Sequence, residues 1–235
     1  MKQPATKAVP MNNATHNMNL RPVIRVIILF AGLVIAHFGV TLFLLADLGS
    51  DPFNVFVQGI YTTVTARFPS PAITHGRVHM AVSLLIIVIL LVTDRSYIRI
   101  GTVICMIFGG PIIDIFTKLL TPLSLGEASL PVRILVNCLG CVILAYGMTV
   151  VIQSEAGTGP NDLVAVVISD KLHKKFSVVR IIVDVCFAGL GFWMGGTLGI
   201  GTVICAFLVG TVAGIFMPVN KKLIGRILAG FPERK

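Results

Sequence analysis

Charged side chains are scarce in this chain of 235 residues: they make up 12% of it, whereas soluble proteins carry about 25%. The motifs of soluble catalysis are missing too, since there is no P-loop, no metal-spaced group of histidines, no Ser/His/Asp order and no glycine-rich dinucleotide turn. We therefore expect no enzyme activity, no cofactor and no metal. Apolar residues make up 55% of the chain, enough for six to eight membrane helices of about 20 residues. The sequence predicts an all-α, polytopic membrane protein.

Positive charge exceeds negative charge, with 19 Lys and Arg residues against 10 Asp and Glu residues. The cations lie in short groups beside apolar runs, which is typical of cytoplasmic loops next to membrane helices and not of nucleic-acid binding. Residues 1–20 are polar without an apolar core, so they predict a cytoplasmic tail and no signal peptide. Residues 223–235 mix apolar and basic side chains, which predicts a basic C-terminal tail along the inner interface.

The chain repeats its own pattern. At an offset of 100 residues, segment 100–105 recurs unchanged as 200–205. At an offset of 108, positions of arginine, glycine, threonine and proline coincide: Arg25, Gly32, Gly39, Thr41, Gly49 and Pro52 match Arg133, Gly140, Gly147, Thr149, Gly157 and Pro160. The pattern predicts two homologous transmembrane repeats, 21–122 and 129–222.

Each repeat contains four apolar segments, and the second segment decides the topology. The segments are 22–46, 52–66, 78–93 and 100–120, then 131–153, 160–171, 178–196 and 200–218. If the second segment crosses the membrane, the repeats are parallel, with four crossings each. Otherwise three crossings make them inverted. Four crossings place seventeen of the nineteen cations in the cytoplasm and three crossings place fifteen there, so the count favours parallel repeats with both termini cytoplasmic.

The second segment is nevertheless short for a crossing. Residues 161–170 span about 15 Å as a helix, against a hydrocarbon core of about 30 Å. We expect each second segment to be a broken or half helix whose N-terminus lies within the membrane. Non-helical backbone is tolerated at that depth only where it is buried in protein or lines a wet cavity.

The two turns before these segments carry the predicted binding site. Glycine permits the turn, proline suits the first helical position, and the exposed N–H groups favour an anionic or strongly accepting solute. The predicted substrate-binding residues are Gly49, Ser50, Asp51, Pro52, Asn54, Gly157, Thr158, Gly159, Pro160, Asn161 and Asp162. The alternative is that Ser50 or Asp51, and Thr158, are helix caps in outer loops.

Further ionisable residues fall near these turns or inside apolar runs. Asp47 and Glu155 are candidate coupling carboxylates, unless they are simply exposed to water. His79, Asp114 and Asp184 lie within apolar segments, where a charge is costly without a partner, so they predict a polar path. The alternative for each of the three is a structural hydrogen bond between helices.

The turn at residues 49–54, which follows a first helix with the sequence Gly-Val-Thr at 39–41, and its echo at 157–162 resemble those of the YczE/YitT/YyaS family of bacterial inner-membrane proteins. The resemblance covers roughly residues 22–217. It implies a helical bundle in the bacterial cytoplasmic membrane, and it implies no particular substrate or mechanism.

The leading hypothesis is a small transporter or channel, not ATP-driven by itself, that binds a small polar or anionic solute between the repeats. The alternative is a non-transporting accessory: a scaffold, a sensor or a substrate-binding subunit of a separate enzyme or energising complex. The expected partners are the lipid bilayer, the solute and an accessory protein. A homodimer through the glycine-rich helices is a further expectation.

Overall fold

Over the residues that the structure describes, the fold is a bundle of eight α-helices. The computed structural model describes residues 20–174 and 176–231 and has no strand in that part of the chain. The helices are α1 (Arg21–Ala46), α2 (Pro52–Arg67), α3 (His75–Thr93), α4 (Ile100–Leu120), α5 (Leu130–Gln153), α6 (Pro160–Leu172), α7 (Phe176–Trp193) and α8 (Ile200–Ala229). The all-helical prediction is confirmed. Residues 1–19 and 232–235, which belong to the two predicted tails, lie outside the described residues.

In the described part of the chain, five helices are long and apolar enough to cross a membrane: α1, α3, α4, α5 and α8. Helices α2 and α6 are shorter, with 16 and 13 residues. Both begin with proline, which fixes the backbone for the first turn and has no N–H to leave unpaired. Helix α8 continues through Pro218 to Ala229, and Ile224 and Leu228 are buried near Val150 of α5.

Helices α1 and α5 form the centre of the bundle and run antiparallel. A Cβ on Gly32 would lie 2.9 Å from the carbonyl oxygen of Gly147, and one on Gly39 would lie 2.5 Å from that of Gly140. In the direction in which residue numbers increase along α1, they therefore decrease along α5. We call the end where α1 finishes, at Asp47, the upper end of the bundle, and the end where α5 finishes the lower end.

This direction corrects the prediction of parallel repeats. Parallel repeats would require their first helices, α1 and α5, to point the same way, whereas they point in opposite directions. The prediction was wrong because it rested on a difference of two cations between the two topologies. The four glycines of α1 and α5 permit the close backbone contact between these helices, and the contact shows their opposite directions.

The residues at both ends of helix α6 contact one end of the bundle. The chain enters it through Glu155, whose carbonyl oxygen accepts a hydrogen bond from Arg99, and leaves it at Asp170, which accepts one from Tyr97. Both partners belong to the loop between α3 and α4 at the lower end. Donation to the Asp170 carboxylate raises the pKa of the Tyr97 hydroxyl, which favours the protonated form that makes this bond.

Helix α2 has the same relation to the upper end. Before it, the carbonyl oxygen of Leu48 accepts a hydrogen bond from the N–H of Gly201, and near its end the hydroxyl of Thr63 donates to the carbonyl of Met194. Both partners lie in or beside the loop between α7 and α8. The contacts that flank α2 therefore lie at the upper end, and those that flank α6 lie at the lower end.

Candidate functional site

The N-terminus of α2 is built by a buried turn. Gly49 has a φ of +100°, and a Cβ there would lie 2.4 Å from the hydroxyl oxygen of Thr202 at the start of α8. The positive φ and this close approach both require glycine. Ser50 is 1% exposed. Asp51 then caps α2, because its carboxylate accepts hydrogen bonds from the backbone N–H and the side-chain amide of Asn54.

The N-terminus of α6 has a matching turn. Gly157 has a φ of +146°, and a Cβ there would lie 2.8 Å from the backbone nitrogen of Thr102 at the start of α4. Gly159 precedes Pro160 without a side-chain cap, and the buried hydroxyl of Thr158 has no hydrogen-bond partner among the described residues. Asp162 lies in the first turn of α6, where a carboxylate favours the positive end of the helix dipole.

The two turns are held by equivalent backbone hydrogen bonds. The N–H of Gly201 donates to Leu48 at 2.7 Å, and the N–H of Gly101 donates to Ala156 at 3.0 Å. The two donors are related by the offset of 100 residues, and the two acceptors are related by the offset of 108 residues. Each turn is therefore anchored on the fourth helix of the opposite half of the chain.

Side chains from α2, α6 and α7 meet inside the bundle. Arg180 bonds to Asp162 at 2.5 Å and to Asp184 at 2.9 Å. Asp51, which accepts hydrogen bonds from Asn54, lies within Coulombic range of both Arg180 and Asp184. We call these five residues the central cluster. It contains three carboxyl groups and one guanidinium, so its carboxylates exceed its cations when all are ionised.

Two predicted carboxylates lie outside this cluster. Asp47 is at the upper end, where its backbone oxygen accepts a hydrogen bond from Arg133. Glu155 is at the lower end and forms an ion pair of 2.8 Å with Arg25. Both acid side chains are about 60% exposed, so the structure does not bring them to the interior.

The three residues of the predicted polar path lie in three different surroundings. Asp184 belongs to the central cluster. Asp114 instead accepts hydrogen bonds from Thr74 and from the N–H of Gly76, so it holds the start of α3. His79 is buried with its ring 5.5 Å from that of His37, and its Nδ1 has no hydrogen-bond partner in the described part of the chain.

A cavity of about 470 Å³ at the upper end leads towards the cluster. Its lining includes Tyr61, His75, Asp114 and Lys118. The Nε2 atom of His75 lies 3.3 Å from the side-chain oxygen of Asn54, so His75 connects the cavity to the N-terminus of α2.

Sequence reasoning missed Arg180 and His75 as site residues. Arg180 was grouped with cytoplasmic cations, and the third segment was predicted to begin after His75. One signal was available for Arg180: it stands four residues before Asp184, the spacing at which side chains meet on a helix.

Comparison of the sequence with known proteins places this chain in a family. The sequence profile of a family of unknown function, DUF6198, matches residues 23–218. The chain belongs to this family. No solved structure matches it.

The relatives of this DUF6198 protein are bacterial. It is 29% identical over 201 residues to the uncharacterized membrane protein YczE of Bacillus subtilis, which covers 85% of this chain and 88% of the relative. It is 29% identical over 199 residues to an uncharacterized protein of Haemophilus influenzae, which covers 84% of each chain. It is also 23% identical over 192 residues to the uncharacterized protein YyaS of Bacillus subtilis, which covers 81% of this chain and 91% of the relative. The resemblance to the YczE and YyaS proteins is confirmed, and with its five apolar helices the chain is a bacterial membrane protein.

Proposed function

We propose that this protein is a transporter or channel for a small polar solute, not ATP-driven by itself, and that it is not an enzyme. The solute would bind at the central cluster, where the N-termini of α2 and α6 meet. The observation that carries the proposal is that two short helices enter from opposite ends and present charged groups to one interior position. Discontinuous segments of this kind form the binding sites of many secondary transporters.

The charge of the cluster favours a cationic solute. The positive ends of both short helices already have carboxylates of the protein beside them, Asp51 for α2 and Asp162 for α6. Arg180 is paired with Asp162 and Asp184. An added anion would meet three carboxyl groups, whereas a protonated amine could use their remaining oxygen atoms. We therefore propose an amine or another small monovalent cation instead of the anion that the helix N-termini suggested.

The two halves are proposed to be inverted repeats of three crossings and one re-entrant helix each. The antiparallel α1 and α5 and the matched hydrogen bonds at Gly101 and Gly201 support this arrangement. Among the described residues, the cations at the upper end are Arg67, Arg77, Lys118 and Arg133. The lower end holds more of them, so it is proposed to face the cytoplasm, together with both termini.

Flux measurements on purified protein in liposomes test the proposal. Jumps in the concentration of methylammonium, ethanolamine, choline or guanidinium are applied on a solid-supported membrane, with acetate and lactate as the anionic comparison. At least one cation is expected to give a current that saturates. Asp184→Asn is expected to reduce that current by about tenfold or more, because tenfold corresponds to only about 1.4 kcal/mol of binding.

Asp170→Asn is the matched control. Asp170 is an exposed aspartate on α6 that bonds to Tyr97 at the lower end, away from the cluster. The current of the Asp170→Asn variant is expected to equal that of the unmodified protein. Currents with the anions alone would contradict the cationic site, and no current with any of the solutes would contradict transport of these two classes.

A further inference from the structure

The two halves of the bundle differ in the contacts made at equivalent positions near their outer ends. In the first half, Leu45 of α1 and Thr117 of α4 both line the upper cavity. The offsets of 108 and 100 relate them to Gln153 of α5 and Met217 of α8. At the lower end these two side chains are in contact, because the Gln153 amide donates to the Met217 sulfur at 3.0 Å.

Further contacts hold α8 against α5 at the lower end. The side-chain amide of Asn220 donates to the hydroxyl of Thr149 at 2.7 Å, and both side chains are buried. At the upper end, α4 finishes at Leu120, the position equivalent to Asn220, and Leu45 and Thr117 both border the cavity. One half is therefore open to its end of the bundle where the other half is packed.

Deeper in the bundle the two halves agree. The rings of Phe38 and Phe116 are 5.0 Å apart, and the equivalent rings of Tyr146 and Phe216 are 5.1 Å apart. The same helix pairs thus keep the same inner contact in both halves. Only their outer parts differ, as expected if the two halves can exchange conformations about a common inner contact.

We propose that the protein has a second solute cavity, at the lower end between α5, α6 and α8, which opens when the two halves exchange conformations. The offsets of 108 and 100 identify its lining from that of the upper cavity. The lining residues are Gln153, Met217 and Val166, and Val166 is the equivalent of Gln58. The present structure is then the state open to the upper end. This inference rests on the proposed transport function and specifies the route by which a cation leaves the central cluster.

The first test closes the lower end chemically. In a variant without the five native cysteines, the pair Gln153→Cys and Met217→Cys is bridged with a short bifunctional thiol reagent. Bridging is expected to reduce cation flux by about tenfold or more, relative to the same variant before the reagent is added. The control pair is Tyr146→Cys with Phe216→Cys, whose contact exists in both halves, so its bridge is expected to leave flux unchanged.

The second test needs no solute. Gln58→Cys and Val166→Cys report access of a water-soluble thiol reagent to the upper and the lower cavity. Both are expected to react in the unbridged protein. Bridging Gln153→Cys to Met217→Cys is expected to abolish reaction at position 166 and to preserve reaction at position 58.

The outcomes separate this inference from the proposed function. Reaction at position 166 that the bridge abolishes supports the second cavity even if none of the cations is transported. Flux that persists after bridging, or a position 166 that never reacts while position 58 does, overturns the second cavity even if cations are transported.

Discussion

At the scale of single residues, Arg180 determines whether the central cluster can be buried. It is the cation paired with Asp162 and Asp184, and its side chain is 30% exposed. Removing one partner of a fully buried ion pair costs about 3–5 kcal/mol, because it leaves an uncompensated charge. Since Arg180 is partly exposed, we expect a smaller loss of about 2 kcal/mol.

Arg180→Met is therefore expected to lower the unfolding temperature in detergent by about 4–8 °C. Adding Asp184→Asn removes one of the two carboxylates left without their cation and is expected to restore part of the loss. Arg180→Lys keeps the positive charge, so its unfolding temperature is expected to lie between those of the unmodified protein and Arg180→Met. Differential scanning fluorimetry measures all three, and an unchanged unfolding temperature in Arg180→Met would show that the pairs contribute nothing to stability.

The residues of the cluster were predictable to different degrees. Asp51, Asn54 and Asp162 follow from the glycine–proline turns, and Asp184 from its apolar neighbours. The partner of Asp162 did not follow, because Arg180 is 18 positions away on another helix, and contacts between helices leave no trace in a single sequence. Asp47 and Glu155 were placed near the site by chain distance alone, whereas the turns carry them to opposite ends.

At the scale of elements, the helix boundaries were largely predictable. Prolines at the first positions of α2 and α6, and glycines before them, mark where those helices start. Helix α8 was predicted to end at Pro218, a residue that usually interrupts helices, but burial of Ile224 and Leu228 accompanies its continuation. The predicted interfacial tail therefore begins within a continuous helix.

The α1–α5 contact predicts unequal effects of one substitution at two glycines. Gly39→Ala places a Cβ 2.5 Å from backbone atoms of α5, so the two helices must separate. Overpacking of this kind costs about 1–3 kcal/mol, which corresponds to a fall of about 2–12 °C in unfolding temperature. Thermal unfolding in detergent measures the change.

Gly189→Ala on α7 is the matched control. A Cβ there meets nothing within 4 Å, and alanine has the better helix propensity. Its unfolding temperature is expected to stay the same or rise slightly. Equal losses in Gly39→Ala and Gly189→Ala would indicate that the α1–α5 contact is not the cause.

At the scale of the whole molecule, the repeat stays a prediction from the sequence, and the direction of its two first helices did not follow from the sequence. The glycines shared by α1 and α5 are compatible with parallel or antiparallel packing, and the cation counts of the two topologies differ by only two residues. The contact between α1 and α5 shows the direction, and α2 and α6 each contact a loop at one end of the bundle. These contacts join segments about 70–130 residues apart, so no local pattern could predict them.

The direction of the repeats determines on which side of the membrane each loop lies, and single cysteines can report that side. With re-entrant α2 and α6, and the lower end in the cytoplasm, position 70 faces the outside and position 95 the cytoplasm; four crossings per half would reverse both. In cells producing a variant without native cysteines, Ser70→Cys is therefore expected to react with an impermeant maleimide added outside. Arg95→Cys, whose side chain is also exposed, is expected to react only after the membrane is permeabilised. The opposite pattern would contradict the inverted arrangement, because it would require α2 to cross.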